Sequence, residues 1–230
     1  MTIRVATYNI RSMRDDVPAL VRVIRALRPD VLCVQEVPRL WCWRRKRARL
    51  AAETGMIVAA GRRRGGMAVL TGPGVRVLSA ETHLLSFRLF LERRAVAIAV
   101  VEADGLRLGV ASVHLDLDVA ARALHAAEAI TLLEAAAEPY DAVPVLAGDI
   151  NEHADRETFR YIAGRLTDCY AHAPRGDGLT FTARRPGKRI DAVFAGSGVS
   201  VVSCGGAEAD PADLAAATDH LPVVAELRAS

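Results

Sequence analysis

Apolar residues along this chain recur in two rhythms, and the switches between them divide it into alternating strands and helices. Ile3 to Tyr8 alternates as a half-buried strand and stops at Asn9. Val17, Leu20, Val21, Ile24 and Leu27 then repeat at helical spacing, behind Asp15 or Asp16 as a cap and with Pro18 in the first turn, and Pro29 ends the helix. Val31 to Gln35 is a strand without alternation, so both of its faces are buried, and Glu36 follows it. A basic helix spans Trp43 to Thr54, and strand candidates follow at Met56 to Ala60, Gly66 to Thr71 and Val75 to Leu85. Arg94 to Ala103 and Leu106 to Leu115 flank Asp104-Gly105, the dipeptide of a tight hairpin turn.

Val119 to Ala137 is alanine-rich, with Leu124, Ala127, Leu132 and Leu133 as its apolar face, and it reads as a crossover helix leading to a buried strand at Val143 to Ala147. Thr158 to Leu166 is a shorter helix. Strands are expected at Leu179 to Ala183, Arg189 to Phe194, Val199 to Ser203 and Thr218 to Leu227, with Asp219 and His220 opening the last. No linker, low-complexity tract or repeat interrupts the pattern. The expectation is one α/β domain over residues 1–230, two layered sheets with helices outside.

Composition narrows this picture. The 230 residues suffice for one well-buried core without requiring a second. Although 51% of residues are apolar, charges break every apolar run short of the roughly 18 residues of a membrane-spanning helix. No transmembrane segment is expected. The start, Met1 to Asn9, enters a strand at once, without the charged, apolar and cleavage segments of a secretion signal, so a cytoplasmic protein is expected; it is separately expected to be a monomer. Cys33, Cys42, Cys169 and Cys204 show no close pairing and read as reduced thiols.

A net charge of +3 does not itself call for a polyanionic partner. Its distribution is uneven, however: Arg39, Arg44, Arg45, Lys46, Arg47 and Arg49 crowd together beside Trp41 and Trp43, and Arg62 to Arg64 form a second cluster. An anionic ligand fits there, and so does a merely solvated arginine-rich face.

Chemistry concentrates at strand ends. In Pro144-Val145-Leu146-Ala147-Gly148-Asp149-Ile150-Asn151 an apolar strand delivers a carboxylate and an amide two residues apart, on one face, with Gly148 letting the backbone pass close to whatever is bound. Such a pair can hold a hard cation, orient a water or bind a phosphoryl oxygen; it can also be an ordinary Asx turn. Asn9, Glu36 and His114 end three further strands. A dry, unpaired Glu36 carboxylate would be very costly, so it meets a cation or reaches solvent. Asp116 and Asp118 are expected as solvated loop carboxylates, His83, His125, His153 and His172 as surface residues, and Asp191 has Arg189 as an alternative ion-pair partner.

Together, Thr-Tyr-Asn9-Ile, Gln-Glu36-Val, Val-His114-Leu, Gly148-Asp149-Ile150-Asn151, Arg189-Ile190-Asp191 and Thr218-Asp219-His220 resemble the deoxyribonuclease I-like endonuclease/exonuclease/phosphatase superfamily, in the right order and across nearly the whole chain. The resemblance implies a four-layer αββα sandwich with two packed mixed β-sheets, and hydrolysis of a phosphate ester with magnesium, manganese being the alternative. It implies Glu36 and Asp219 as metal ligands with Asn9 beside them, and Asp149 as the group that orients or deprotonates water. Asn151 and His114 would bind the phosphoryl group, and His220, oriented by Asp191, would contact the phosphate or move a proton. A histidine at position 114 matches the nuclease, sphingomyelinase and phosphatase branches rather than the abasic-site endonucleases.

Substrate choice lives in loops. The compact chain and its arginines favour nucleic acid. A phospholipid, sphingomyelin or inositol-phosphate esterase is the alternative; acting at a membrane, it would want an exposed apolar loop or a secretion signal, and neither is evident. A non-catalytic binding member would have lost ligands, whereas here every main position is filled.

Overall fold

The computed structural model describes residues 2–230. Seven strands form one sheet in the order β10 (Pro174–Arg175), β12 (Val199–Gly205), β13 (Val223–Ala229), β1 (Ile3–Asn9), β2 (Val31–Gln35), β4 (Ala68–Thr71), β3 (Ile57–Ala60). Six form the other: β5 (Arg76–Leu84), β6 (Ala95–Ala103), β7 (Leu106–His114), β8 (Val143–Asp149), β11 (Asp191–Ala195), β9 (Thr167–Asp168). Small and β-branched residues such as Val5, Cys33, Val69, Ala97, Val110, Val145 and Ala225 fill the space between the sheets. Helices α1 (Val17–Leu27), α2 (Trp43–Glu53) and α6 (Pro211–Ala217) bury apolar residues against the first sheet, and α3 (Val119–Ala137) and α4 (Glu157–Ala163) against the second; α5 (Cys169–His172) is one short turn. This is the expected αββα sandwich of two mixed sheets.

Local chemistry explains the elements. Asp16 accepts the Ala19 N–H at 2.9 Å, with proline in the first turn of α1. Asp104 and Gly105 both take positive φ, 50° and 77°, which suits a tight hairpin turn. The right-handed preference of parallel crossovers lets α3 return the chain so that β8 runs parallel to β7.

Three expectations need correcting. Leu179 to Ala183 is not a strand: Phe181 makes only isolated bridges, to Lys188 and His220. The last strand begins at Val223, so Asp219 and His220 lie in the turn before it; Pro222 has no N–H to extend the ladder. The buried stripe of α3 is Arg122, His125, Ala126, Ala129, Ile130 and Leu133, rotated from the expected face, because Arg122 and His125 are buried with distant partners. Strands β9 and β10 and helices α5 and α6 were not foreseen.

Candidate active site

Strand register assembles the site. His114 pairs with Asp149 across the parallel β7–β8 ladder, and Asp191 pairs with Asp149 across the antiparallel β8–β11 ladder. Directly paired residues point to the same face, so an imidazole and two carboxylates stand abreast. Gly148 is required by the neighbouring strand rather than by a bound group: a Cβ there would lie 2.0 Å from the Val113 carbonyl oxygen. From the opposing sheet, the Asn9 amide donates to Asp149 Oδ2 and to Glu36 Oε1, both at 3.1 Å. One side chain thereby ties both sheets to two carboxylates. Its Oδ1 accepts the Arg11 N–H at 3.1 Å.

The turns after these strands carry unusual backbone. Glu36 and Asn151 take φ of 51° and 55°, and left-handed non-glycine residues cost about 1–3 kcal/mol where the surroundings force them. Asn151 is held by its N–H on Asp149 Oδ1 at 3.0 Å and by its amide on the Leu115 carbonyl at 3.1 Å. The second amide hydrogen remains for a ligand.

His220 completes the group. Its Nδ1 lies 2.9 Å from Asp191 Oδ2, its Nε2 lies 3.7 Å from Asp149 Oδ2, and its ring packs on Phe181 with centroids 5.0 Å apart. Asp191 does not pair with Arg189, which binds Asp168 at 2.9 and 3.1 Å instead. Burial works against a charged His220, but Asp191 and then Asp149 outweigh it and raise its pKa to about 9. His114, whose Nε2 is 3.5 Å from Asp149 Oδ2, is held well below its ordinary value by burial and the nearby Arg94, and stays neutral. Burial and the neighbouring Asp191 raise Asp149 to about 7. The site thus holds a cationic imidazole, a neutral imidazole and a carboxylate poised near neutrality around one point.

Ligand atoms of Asp149, Asp191 and His220 lie within 4.8 Å of one another. Glu36 and Asp219 are half-buried and reach solvent. Asp219 joins the network through Thr218, whose hydroxyl bonds the Asn9 carbonyl at 3.1 Å and Asp219 Oδ1 at 3.3 Å, and through Arg11 Nε, 3.4 Å from Asp219 Oδ2. Arg11 was not foreseen; its only signal is its place two residues after Asn9.

The supports around the site differ from expectation. Asp116 is buried against Arg94 instead of solvated, and buried His125 contacts the Ser86 carbonyl at 3.0 Å; Asp118 is exposed, as expected, and also caps α3. Beneath the site, Gln35 joins Thr7 and Ser112 at 3.1 and 3.0 Å, linking the sheets through buried polar groups.

The arginine cluster divides. Arg47 is buried, bonding the Pro38 and Arg62 carbonyls and stacking on Trp43, whereas Arg44, Arg45, Lys46 and Arg62 to Arg64 are exposed. The segment between β5 and β6, in which no exposed apolar loop was expected, presents Phe87, Leu89 and Phe90 to solvent.

Residues 6–220 match the model of the Endonuclease/Exonuclease/phosphatase family. No curated protein matches this sequence. Among solved structures, the endonuclease/exonuclease/phosphatase from Bacteroides vulgatus is 21% identical, with all of both chains covered and a TM-score of 0.82. A mannosyl-6-phosphatase from Bacteroides thetaiotaomicron is 17% identical over 98% of this chain and 99% of that one, with a TM-score of 0.83. TDP2 from D. rerio, complexed with a single-strand DNA product, is 16% identical over 99% of both chains, with a TM-score of 0.71.

Proposed function

This chain belongs to the endonuclease/exonuclease/phosphatase family, and from that premise we propose that it is a divalent-cation-dependent hydrolase of a phosphodiester. The observation that carries the reading is the convergence on Asp149 of Asn9, His114 and the Asp191–His220 pair. Glu36 and Asp219 fit magnesium, or manganese, because they offer carboxylate oxygens that reach solvent at the edge of this group. Bound there, the ion would supply positive charge to the phosphoryl oxygens as negative charge builds. In the present arrangement the Asn9 amide nitrogen faces both carboxylates, so Asn9 orients them as a donor rather than offering its oxygen.

The remaining steps belong to the chain. Asp149 orients a water and takes its proton, which its position near neutrality permits. Asp191 accepts from Nδ1 of His220 and so directs the Nε2–H of the cationic ring toward the phosphate. Neutral His114 and the free amide hydrogen of Asn151 add donors for the phosphoryl oxygens.

Nucleic acid is the substrate favoured by the basic rim, where Trp43, Arg44 and Arg62 to Arg64 line a groove of about 920 Å³. A lipid phosphodiester is the second reading, favoured by the exposed Phe87, Leu89 and Phe90. The test is a panel of single- and double-stranded DNA, RNA, sphingomyelin, phosphoinositides and nucleotides, each with magnesium and with chelator. Hydrolysis that chelation abolishes is expected; hydrolysis indifferent to chelation would overturn the proposal.

A further inference from the structure

Of the twelve large apolar side chains exposed among the described residues, six project from turns at one edge of the molecule. Strands β2 and β7 end at the catalytic edge, and β4 and β6, antiparallel to them, begin there. The turns leading into and out of these strands therefore surround Glu36, His114 and Asp149. From those turns project Leu40, Trp41, Phe87, Leu89, Phe90 and Leu117, with Trp41 90% and Phe90 94% exposed. Cations stand among them: Arg39, Arg63, Arg64 and Arg93 share one groove of about 700 Å³ with Leu40 and Phe87. The turns brace one another, since Arg39 binds Glu92 and its carbonyl accepts from Arg63 Nε at 3.0 Å. Glu92 is thereby neutralised, with Arg94 on its other oxygen at 3.5 Å.

We propose that this edge docks on the surface of an anionic phospholipid bilayer, with Trp41, Phe87, Leu89 and Phe90 entering the interface and the arginines meeting lipid phosphates. Aromatic and leucine side chains beside cations are the composition that partitions into the boundary between headgroups and acyl chains. Leucine argues for lipid over a polynucleotide: an aromatic ring offers a stacking platform for a base, whereas Leu40, Leu89 and Leu117 have no π face. No described helix is long and apolar enough to cross a membrane, so attachment at this edge is peripheral. Docking turns the catalytic edge toward the membrane and rests on the lipid reading of that site rather than on the nucleic-acid one.

The test is co-sedimentation of the full chain carrying Asp149→Asn with vesicles of phosphatidylcholine alone or mixed with phosphatidylglycerol. Binding is thus scored without turnover, and its failure is separate from a failure of catalysis. Mixed vesicles should retain about tenfold more protein than neutral ones, high salt should release part of it, and adding Phe87→Ser with Phe90→Ser should reduce retention about tenfold. The same serine pair in the Asp149-containing enzyme should leave hydrolysis of bis(p-nitrophenyl) phosphate unchanged, showing that the fold survives. Equal retention with and without the serine substitutions, or no retention on mixed vesicles, overturns the proposal. So does tight binding of a single-stranded oligonucleotide, lost with the same substitutions, when vesicles bind nothing; that result assigns the edge to nucleic acid.

Discussion

The buried polar residues at the strand ends, the floor of the site, and the turns that form its rim are built by opposite rules. On the floor, Asn9, Asp149 and Asp191 are 1%, 2% and 1% exposed, and each hangs from the end of a strand whose register is set by the core. On the rim, Trp41, Phe87 and Phe90 sit on turns that the ladders do not dictate. On the proposed reading, sheet packing therefore positions the chemistry, while the choice of surface or substrate falls to segments that can change without disturbing it. Variants that separate turnover, stability and binding test this division.

The largest effect belongs to the floor. Asp149→Asn should lower kcat on an activated phosphodiester by about 10³-fold or more, and His220→Ala should do likewise, because the proposed mechanism gives each the task of moving or holding charge at the reacting atoms. Stability should not follow activity. Burial and Asp191 already disfavour the ionised form of Asp149, so a neutral amide relieves a buried charge, while its NH2 must face the Asn9 amide or the Asn151 N–H, both donors to Asp149; the two effects oppose, and Tm should move by about 2–4 °C at most. Near-wild-type turnover in either variant would remove the assigned roles.

Next comes the pH response of the Asp191–His220 pair. The folded pKa of His220 is raised from 6.5 to about 9, burial opposing the shift and Asp191 more than compensating. A group whose pKa rises on folding stabilises fully below its unfolded value and loses that contribution as pH climbs through the folded one. Asp191→Asn should therefore cost on the order of 3 kcal/mol at about pH 6 and far less at about pH 10. Urea denaturation of both proteins across that range measures the gap. A gap independent of pH would show that the two side chains do not titrate as a partnership.

What the sequence disclosed follows the same division. Asn9, Glu36, His114 and Asp149 were legible because each follows an apolar run, and a strand ending in a polar ligand group has a local signature. Gly148 stands out in the sequence, but what requires a glycine there is the Val113 backbone rather than a bound group. Arg94 with Asp116, Arg122 with Glu152 and His125 with the Ser86 carbonyl were illegible: a buried polar group is tolerated through a partner tens of residues away or around a turn, and no local pattern marks that partner. Helix α6 did carry a signal, Asp210 before Pro211 as a cap with proline in the first turn, but its seven residues are too short for a periodic face. Phe87, Leu89 and Phe90 lie just beyond the strand expected to end at Leu85, and nothing in their local pattern marks them as uncovered, because exposure there depends on the neighbouring turns.

The smallest effect sharpens the boundary inside the arginine cluster itself. Arg47 belongs to the scaffold: its guanidinium lies 3.3 Å from the Pro38 carbonyl and 3.1 Å from that of Arg62, and stacks 4.7 Å from the Trp43 ring. Burial, reinforced by Arg39, lowers its pKa to about 10, yet it remains charged at neutral pH. Arg47→Ala leaves two carbonyls without a donor and should cost about 2 kcal/mol in urea denaturation. Arg47→Lys should recover little, since a single ammonium cannot reproduce a planar fork that spans both carbonyls while covering an indole. Arg45→Ala, on the exposed side of the same helix, should change stability by less than about 0.5 kcal/mol. Equal costs at the two positions would mean that the cluster is one solvated face; the expected inequality means that its sequence neighbours divide between holding the rim together and meeting what lies outside it.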